Sequence, residues 1–143
     1  MRNINRVVLI LVLLFLTACQ WSRVADYDPQ VDLLLVESKV KIDAHWQRML
    51  QLPQHERKFD RFKAGYLDIN HDLNVLEELN NRRSDNQDSI TQTKSAVTLW
   101  RQDMRRHEQE GYLSDFAIKR RQNAYRRLLN ALLAAEKTKP KAN

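Results

Sequence analysis

Apolar residues between positions 29 and 137 recur at alternating spacings of three and four, which is the period of one face of an α-helix. The first stripe consists of Val31, Leu35, Ser38, Ile42, Trp46 or His45, and Met49. The most regular stripe consists of Phe59, Phe62, Tyr66, Ile69, Leu73 and Leu76. A third follows with Ile90, Thr93, Val97, Trp100, Met104 and His107, and a fourth with Ile118, Tyr125, Leu128, Leu129, Leu132 and Leu133. The pattern predicts four amphipathic helices.

Residues typical of helix ends separate the four stripes. The predicted helix starts have N-cap residues that can accept backbone hydrogen bonds, namely Asp28 before Pro29, Ser89 with Gln92, and Ser114. The predicted stops are Leu52-Pro53, the polar run from Asn80 to Asp88, and Gly111. Because short connections favour antiparallel neighbours, we expect an all-α, antiparallel four-helix bundle. A three-helix body with the remaining helix on a membrane is the alternative.

The composition excludes several classes of protein. The 143 residues include two Gly, too few for the Gly-rich loops of nucleotide-binding folds. A single Cys excludes an internal disulfide and a Cys-rich metal site. These counts agree with a small helical protein.

The N-terminus has the pattern of an export signal. Two arginines precede the apolar run from Val7 to Leu16, and these ten residues are about half the length of a membrane span. The sequence Leu16-Thr17-Ala18-Cys19 then resembles the lipobox of bacterial lipoproteins. This resemblance implies cleavage between Ala18 and Cys19 and attachment of palmitate-type acyl chains to Cys19. Since Gln20 and not Asp follows the Cys, it also implies sorting to the outer membrane, facing the periplasm.

These features predict four segments. Residues 1–18 form a lipoprotein signal peptide, and residues 19–28 form a lipid anchor and tether. Residues 29–137 form the helical bundle domain. Residues 138–143 form a disordered basic tail, because no apolar side chain is available to dock it.

Few residues suggest catalytic or metal chemistry. Asp68, His71 and Asp72 are the residues that most resemble a set of metal ligands. Only one such set is present, and Ile69 is expected to occupy the inward face of the helix, so a polar surface cluster is favoured over a metal site. His107 near a helix end fits a structural, cap-like role in which a protonated ring is favoured. We expect no enzymatic activity, no cofactor and no metal. His45 and Trp46 are adjacent and not both expected to point inward, so an exposed Trp46 would indicate a partner site.

Positive charge is concentrated at the C-terminus. The chain carries a net charge of +6, and residues 114–143 hold eight basic and two acidic residues. Candidate contacts with a partner or an anionic surface are Lys119, Arg120, Arg121, Arg126 and Arg127. Anionic lipid, cell-wall peptides and an acidic partner protein are the accessible ligands, and a solvated helix face is the alternative. Nucleic acid is not expected for an exported protein.

The body also resembles short helical proteobacterial lipoproteins with a Tyr-Asp pair just after the tether, here Tyr27-Asp28, whose role is generally unassigned. We therefore expect a small outer-membrane lipoprotein that acts as a non-catalytic binding or adaptor module. It would contact the membrane through its lipid anchor and an envelope protein through its body. The alternative is a periplasmic carrier of a small ligand or metal.

Overall fold

A computed structural model describes residues 24–141, and these residues contain four long helices and no β-strand. The helices are α1 (Pro29–Leu50), α2 (Phe59–Asn81), α3 (Gln87–Glu110) and α4 (Asp115–Lys137), with a short 3-10 turn at Gln54–Glu56. Helix α1 packs against α2 and α4, and α3 packs against the same two helices. The prediction of an all-α four-helix bundle is confirmed. None of the helices in the described range is both long and apolar enough to cross a membrane.

Hydrogen bonds between distant segments define the two ends of the bundle. At one end, the Ala25 N–H donates to the Asp85 carbonyl (3.1 Å), and the Tyr27 N–H donates to the Pro140 carbonyl (2.7 Å). The start of α1, the α2–α3 connection and the end of α4 therefore meet there, and we call this the proximal end. At the other, distal end, the Arg57 side chain reaches the α3–α4 connection at Leu113.

Two predicted N-caps and one predicted stop are confirmed. Asp28 Oδ1 accepts the backbone N–H of Gln30 at 2.8 Å, and Ser114 Oγ accepts that of Ala117 at 3.2 Å. Gly111 ends α3 with a φ of 77°, a left-handed conformation that glycine adopts without a steric penalty.

The prediction for the start of α3 is wrong. This helix begins at Gln87, so Ser89 lies within its first turn and does not cap it. The Ser89 hydroxyl instead accepts a hydrogen bond from the ammonium group of Lys139 at 3.1 Å. A distant polar partner therefore satisfies the side chain that the local pattern assigned to a cap.

Aromatic side chains fill much of the core, as their spacing predicts. Five aromatic residues of the predicted stripes are buried: Phe59, Phe62, Tyr66, Trp100 and Tyr125. The expectation that His45 and Trp46 cannot both point inward is wrong, because neither is exposed. Both rings pack against Trp100 of α3, so the two adjacent side chains share one aromatic core. The His45 ring lies 4.3 Å from the Tyr66 ring on α2, and the Trp46 ring stacks at 6.3 Å on Tyr125 of α4 (ring centroids).

The C-terminal tail is ordered over most of its length, which corrects the prediction of disorder from residue 138. Lys139 is buried and donates hydrogen bonds to Asn86, Ser89 and Glu136. The Pro140 carbonyl accepts the Tyr27 N–H. Docking here depends on polar partners, so the absence of apolar side chains was not a sufficient reason to expect disorder. Residues 142 and 143 lie outside the described range.

Candidate functional site

A buried carboxylate joins the chain segments at the proximal end. Glu136 is 1% exposed. Its two oxygens accept hydrogen bonds from both terminal nitrogens of Arg83 (2.8 and 3.0 Å), and one of them accepts the Asp28 N–H (2.8 Å). Lys139 Nζ donates to the other carboxylate oxygen, Oε2, at 2.7 Å. We call Glu136, Arg83, Lys139 and the backbone of residues 26–28 the proximal clasp.

The clasp keeps Glu136 ionised. Burial by itself opposes ionisation, but the hydrogen bonds from Arg83, Lys139 and the Asp28 N–H outweigh it and hold the pKa of Glu136 below its usual value. Arg83 also donates to the Asp26 carbonyl. The clasp therefore fastens the segment before α1 to the end of α4.

The docking of residues 24–28 shortens the predicted tether. Ala25 is buried, so the chain is already held against the bundle there. The predicted lipidation site Cys19, the cleavage pair Ala18-Cys19 and the sorting residue Gln20 lie outside the described residues. Five residue steps separate Cys19 from Val24, and a fully extended chain of that length spans at most about 18 Å. An anchor at Cys19 would therefore hold the proximal end near the bilayer.

A buried arginine and histidine organise the distal end. The Arg57 guanidinium donates to the Leu52 and Leu113 carbonyls (2.9 and 3.1 Å) and lies 2.6 Å from Asp115. The Arg57 carbonyl lies 2.7 Å from His107 Nε2. Because a carbonyl only accepts, Nε2 must carry the proton, and Nδ1 then accepts the Tyr66 hydroxyl at 3.2 Å.

His107 has the structural position that the sequence suggests, but its burial opposes protonation of the ring. Burial lowers its pKa below the usual value of 6.5, although the hydrogen bond to the Arg57 carbonyl acts in the opposite direction. Burial therefore acts against the charged ring that the helix end was expected to favour. In the neutral ring that burial favours, Nε2 donates to the Arg57 carbonyl and Nδ1 accepts the Tyr66 hydroxyl.

The five predicted basic contact residues of α4 have different roles. Arg121 lies 2.7 Å from Asp103, and Arg126 lies 2.9 Å from Asp43, so these two guanidinium groups pair within the bundle. The other three, Lys119, Arg120 and Arg127, are exposed and pair with no carboxylate of the described residues. The predicted basic face is therefore reduced to these three side chains.

Two exposed aromatic side chains lie beside the unpaired charges at the start of α4. Phe116 is 74% exposed and Tyr112 is 50% exposed. Phe116 and Arg120 are four residues apart on α4 and so lie on the same side of the helix. We call Tyr112, Phe116, Lys119 and Arg120 the distal patch. Its aromatic and basic composition is typical of protein interfaces.

A cleft opens between the second half of α1 and the first half of α2, with His45 in its lining. It has a volume of about 550 Å³. His45 itself has no exposed surface, and neither of its ring nitrogens has a hydrogen-bond partner among the described residues. Burial, with a smaller contribution from Arg48, lowers the pKa of His45 from 6.5 to about 3, so the ring is neutral. We call this cleft the His45 groove.

Gly65 permits a close approach of α1 and α2. A Cβ atom at Gly65 would lie 2.7 Å from His45 Nδ1 and 3.2 Å from its Cε1, both closer than van der Waals contact allows. The His45 ring can therefore occupy its position only opposite a residue without a side chain.

The predicted polar cluster on α2 is tied to α1. Lys41 Nζ lies 3.1 Å from Asp68 and 2.7 Å from Asp72, whereas His71 is exposed. Within residues 24–141, no group of three His, Cys, Asp or Glu side chains is arranged to hold a metal ion. The two carboxylates serve as an ionic connection between helices.

Sequence reasoning did not single out Arg57, Arg83, Glu136 or Arg48. Of these four residues, only Glu136 could have been found from the sequence. It continues the apolar spacing of Leu129 and Leu132, so a charged residue is predicted at a buried position there. Arg57 and Arg83 lie in connections between helices, where no helical period applies.

Comparisons with protein-family models, curated proteins and solved structures gave no match. The function of the chain therefore has to be inferred from its own residues and geometry.

Proposed function

We propose that this protein is a lipid-anchored, non-catalytic adaptor of the outer membrane that faces the periplasm and binds an envelope protein through the distal patch. The observation that carries the proposal is the exposure of Phe116 beside Lys119 and Arg120 at the distal end. A single large aromatic with adjacent basic groups is typical of the residues that dominate binding energy at interfaces.

The proposed anchor and the distal patch belong to opposite ends of the molecule. The lipobox places acylation at Cys19, and the proximal clasp holds the chain that follows against the end of α4. Helix α4 has 23 residues, which at 1.5 Å per residue separates its two ends by about 35 Å. An anchored bundle can therefore present the patch away from the bilayer.

The chemistry of the patch favours a protein with an acidic segment. Lys119 and Arg120 lack carboxylate partners in the described part of the chain, so an acidic partner supplies the missing charge. Phe116 would lose exposed apolar surface in the same contact, which contributes a favourable hydrophobic term. Cell-wall peptides would use the charges but leave Phe116 without an apolar pocket, and the patch lies at the end of α4 that points away from the proposed anchor.

The anchor is tested by replacing the proposed lipidated residue. We expect Cys19→Ser to move the protein from the membrane fraction to the periplasmic fraction and to abolish labelling with a palmitate analogue. Retention of the variant in the outer membrane, with labelling unchanged, would refute lipid attachment at Cys19.

The patch is tested by photo-crosslinking in cells. With a photoreactive amino acid at position 116, we expect a discrete protein adduct whose crosslinked segment, mapped by mass spectrometry, is acidic. The adduct should disappear in Arg120→Glu. The matched control carries the same probe at Leu33, which is 60% exposed on α1. An adduct at both positions, adducts with cell-wall peptides, or no adduct would contradict the proposed partner class.

A further inference from the structure

Helix α1 has an apolar stripe on its outer side. Between positions 33 and 44, the exposed residues of this helix are Leu33, Val36, Glu37, Val40 and Ala44, of which only Glu37 is polar. Leu33 is 60% exposed and Val40 is 63% exposed. Their spacing by three and four positions places them on one side of the helix, over a length of about 16 Å. We call Leu33, Val36, Val40 and Ala44 the outer α1 stripe.

The grouping of these side chains distinguishes the stripe from ordinary surface. Single exposed apolar residues are common in soluble proteins, whereas apolar residues that lie together indicate a contact site. Seven large apolar side chains are exposed in the described part of the chain, and three of them belong to the stripe. Helix α1 packs on α2 and α4 with the side that carries Val31, Leu35 and Ile42, so the stripe faces outward. Its contact must therefore come from outside the bundle.

The stripe occupies the part of α1 that is nearest to the proposed anchor. Leu33 lies one turn from the start of α1, at the proximal end where residues 24–28 are docked. On the same side of the helix, the distal half presents the exposed polar residues Gln47 and Arg48. The outer side of α1 therefore changes from apolar to polar with distance from the proximal end. A surface that approaches from the proximal end would meet only the apolar part.

We propose that the outer α1 stripe lies against the bilayer in which the protein is anchored, with Leu33, Val36 and Val40 inserted at the boundary between headgroups and acyl chains. This inference rests on the lipid anchor of the proposed function. The chain from Cys19 to Val24 spans at most about 18 Å, and short tethers of this kind give effective concentrations on the order of 1 mM. A contact too weak to hold the free protein on a membrane therefore forms when the protein is anchored. The bundle is tilted onto the proximal half of α1, and the distal patch at its other end points away from the lipid.

Glu37 favours a lipid surface over a second copy of the chain. Its side chain is exposed beside the stripe and pairs with no basic residue of the described part of the chain. Two copies anchored in one leaflet would pair with parallel α1 helices, so that equal positions face each other and the two Glu37 carboxylates come together. Such a contact would bury like charges without partners, which is unfavourable. The headgroup layer is hydrated, so Glu37 keeps its water when the stripe contacts lipid.

The test uses the mature chain, residues 19–143, coupled through the Cys19 thiol to a maleimide lipid in phosphatidylcholine nanodiscs. Because the coupling is chemical, the result does not depend on acylation in the cell. Failure of this inference is therefore distinct from failure of the proposed anchor, which Cys19→Ser tests. A nitroxide on the lipid acyl chain broadens the NMR signals of nearby methyl groups, so the native Leu and Val side chains serve as reporters.

We expect the broadening at the methyl groups of Leu33 and Val40 to be about threefold or more that at Leu67. Leu67 is the reference within the same molecule, because it is 50% exposed but lies on α2. The difference should persist at high salt and in the presence of phosphatidylglycerol, since the stripe contains no basic side chain. Equal broadening at Leu33 and Leu67 would overturn the proposal.

A double substitution tests the stripe directly. Val36→Asp combined with Val40→Asp changes only exposed positions, and cooperative unfolding checks that the bundle is intact. We expect the broadening at Leu33 to fall to the level of Leu67, whereas the matched control Leu67→Asp should leave the broadening at Leu33 unchanged. Methyl groups of the stripe that are shielded from both the nitroxide lipid and a water-soluble paramagnetic reagent would indicate a second copy of the chain, and this result would also overturn the proposal.

Discussion

The effect of Gly65→Ala on the free energy of unfolding should depend on the side chain at position 45. It should be destabilising opposite histidine and stabilising when the ring is removed. An alanine in the middle of a helix is more favourable than glycine by about 1 kcal/mol. In this protein the added Cβ would lie 2.7 Å from His45 Nδ1, and overpacking of this kind costs about 1–3 kcal/mol. We therefore expect Gly65→Ala to lower the free energy of unfolding by up to about 2 kcal/mol.

The same substitution should be stabilising when the ring is absent. In a His45→Ala background nothing blocks the new Cβ, so Gly65→Ala should raise the free energy of unfolding by about 1 kcal/mol. The four proteins of this double-mutant cycle are compared by urea denaturation followed by circular dichroism. The expected coupling between the two sites is about 1–3 kcal/mol.

A neighbouring position provides the control. Ala64 is exposed on the same turn of α2, so Ala64→Gly should cost about 1 kcal/mol in both backgrounds and measures the local helix propensity. If Gly65→Ala were stabilising in the unmodified protein, or if its effect were the same in both backgrounds, the steric argument would be wrong.

Three further predictions concern stability. Burial lowers the pKa values of His45 and His107, so protons bind more readily to the unfolded chain. The free energy of unfolding should therefore be greatest above pH 6.5 and fall on acidification by up to about 1.4 kcal/mol per pH unit for each ring. Urea denaturation at several pH values measures this, and a flat profile between pH 6.5 and 5 would contradict it. Glu136→Gln should cost about 3–5 kcal/mol and raise amide exchange in residues 24–28, whereas the exposed control Glu108→Gln should have little effect. Gly111→Ala should cost about 1 kcal/mol because φ is 77°, and thermal unfolding that matches the unmodified protein would refute this.

Much of the fold follows from local sequence. The alternating spacing of apolar residues by three and four positions predicts each helix and its buried face, because side chains one helical turn apart lie on the same face. Asp28, Ser114 and Gly111 define helix ends by chemistry that acts within a few residues. A glycine within a helical stripe is compatible with a close helix approach or with a weak point of the helix, and only the packed structure shows that Gly65 allows a close approach.

The candidate sites were less predictable. The sequence identified a basic final helix, but only the fold shows that Arg121 and Arg126 pair internally while Lys119 and Arg120 remain exposed. The His45 groove had no signal beyond Gly65, since its walls come from α1, α2 and the connection between them.

The sequence alone determined the helices, their apolar faces and the resemblance to a lipoprotein signal. Tertiary structure decided which polar groups are buried and with what partners. Glu136 and Arg83 are 53 positions apart, and His107 and Arg57 are 50 apart. A helical period states which side of a helix is buried but not which helix covers it. For that reason the ordered C-terminal tail, the neutral His107 and the inward positions of both His45 and Trp46 emerged only when the four helices were packed together.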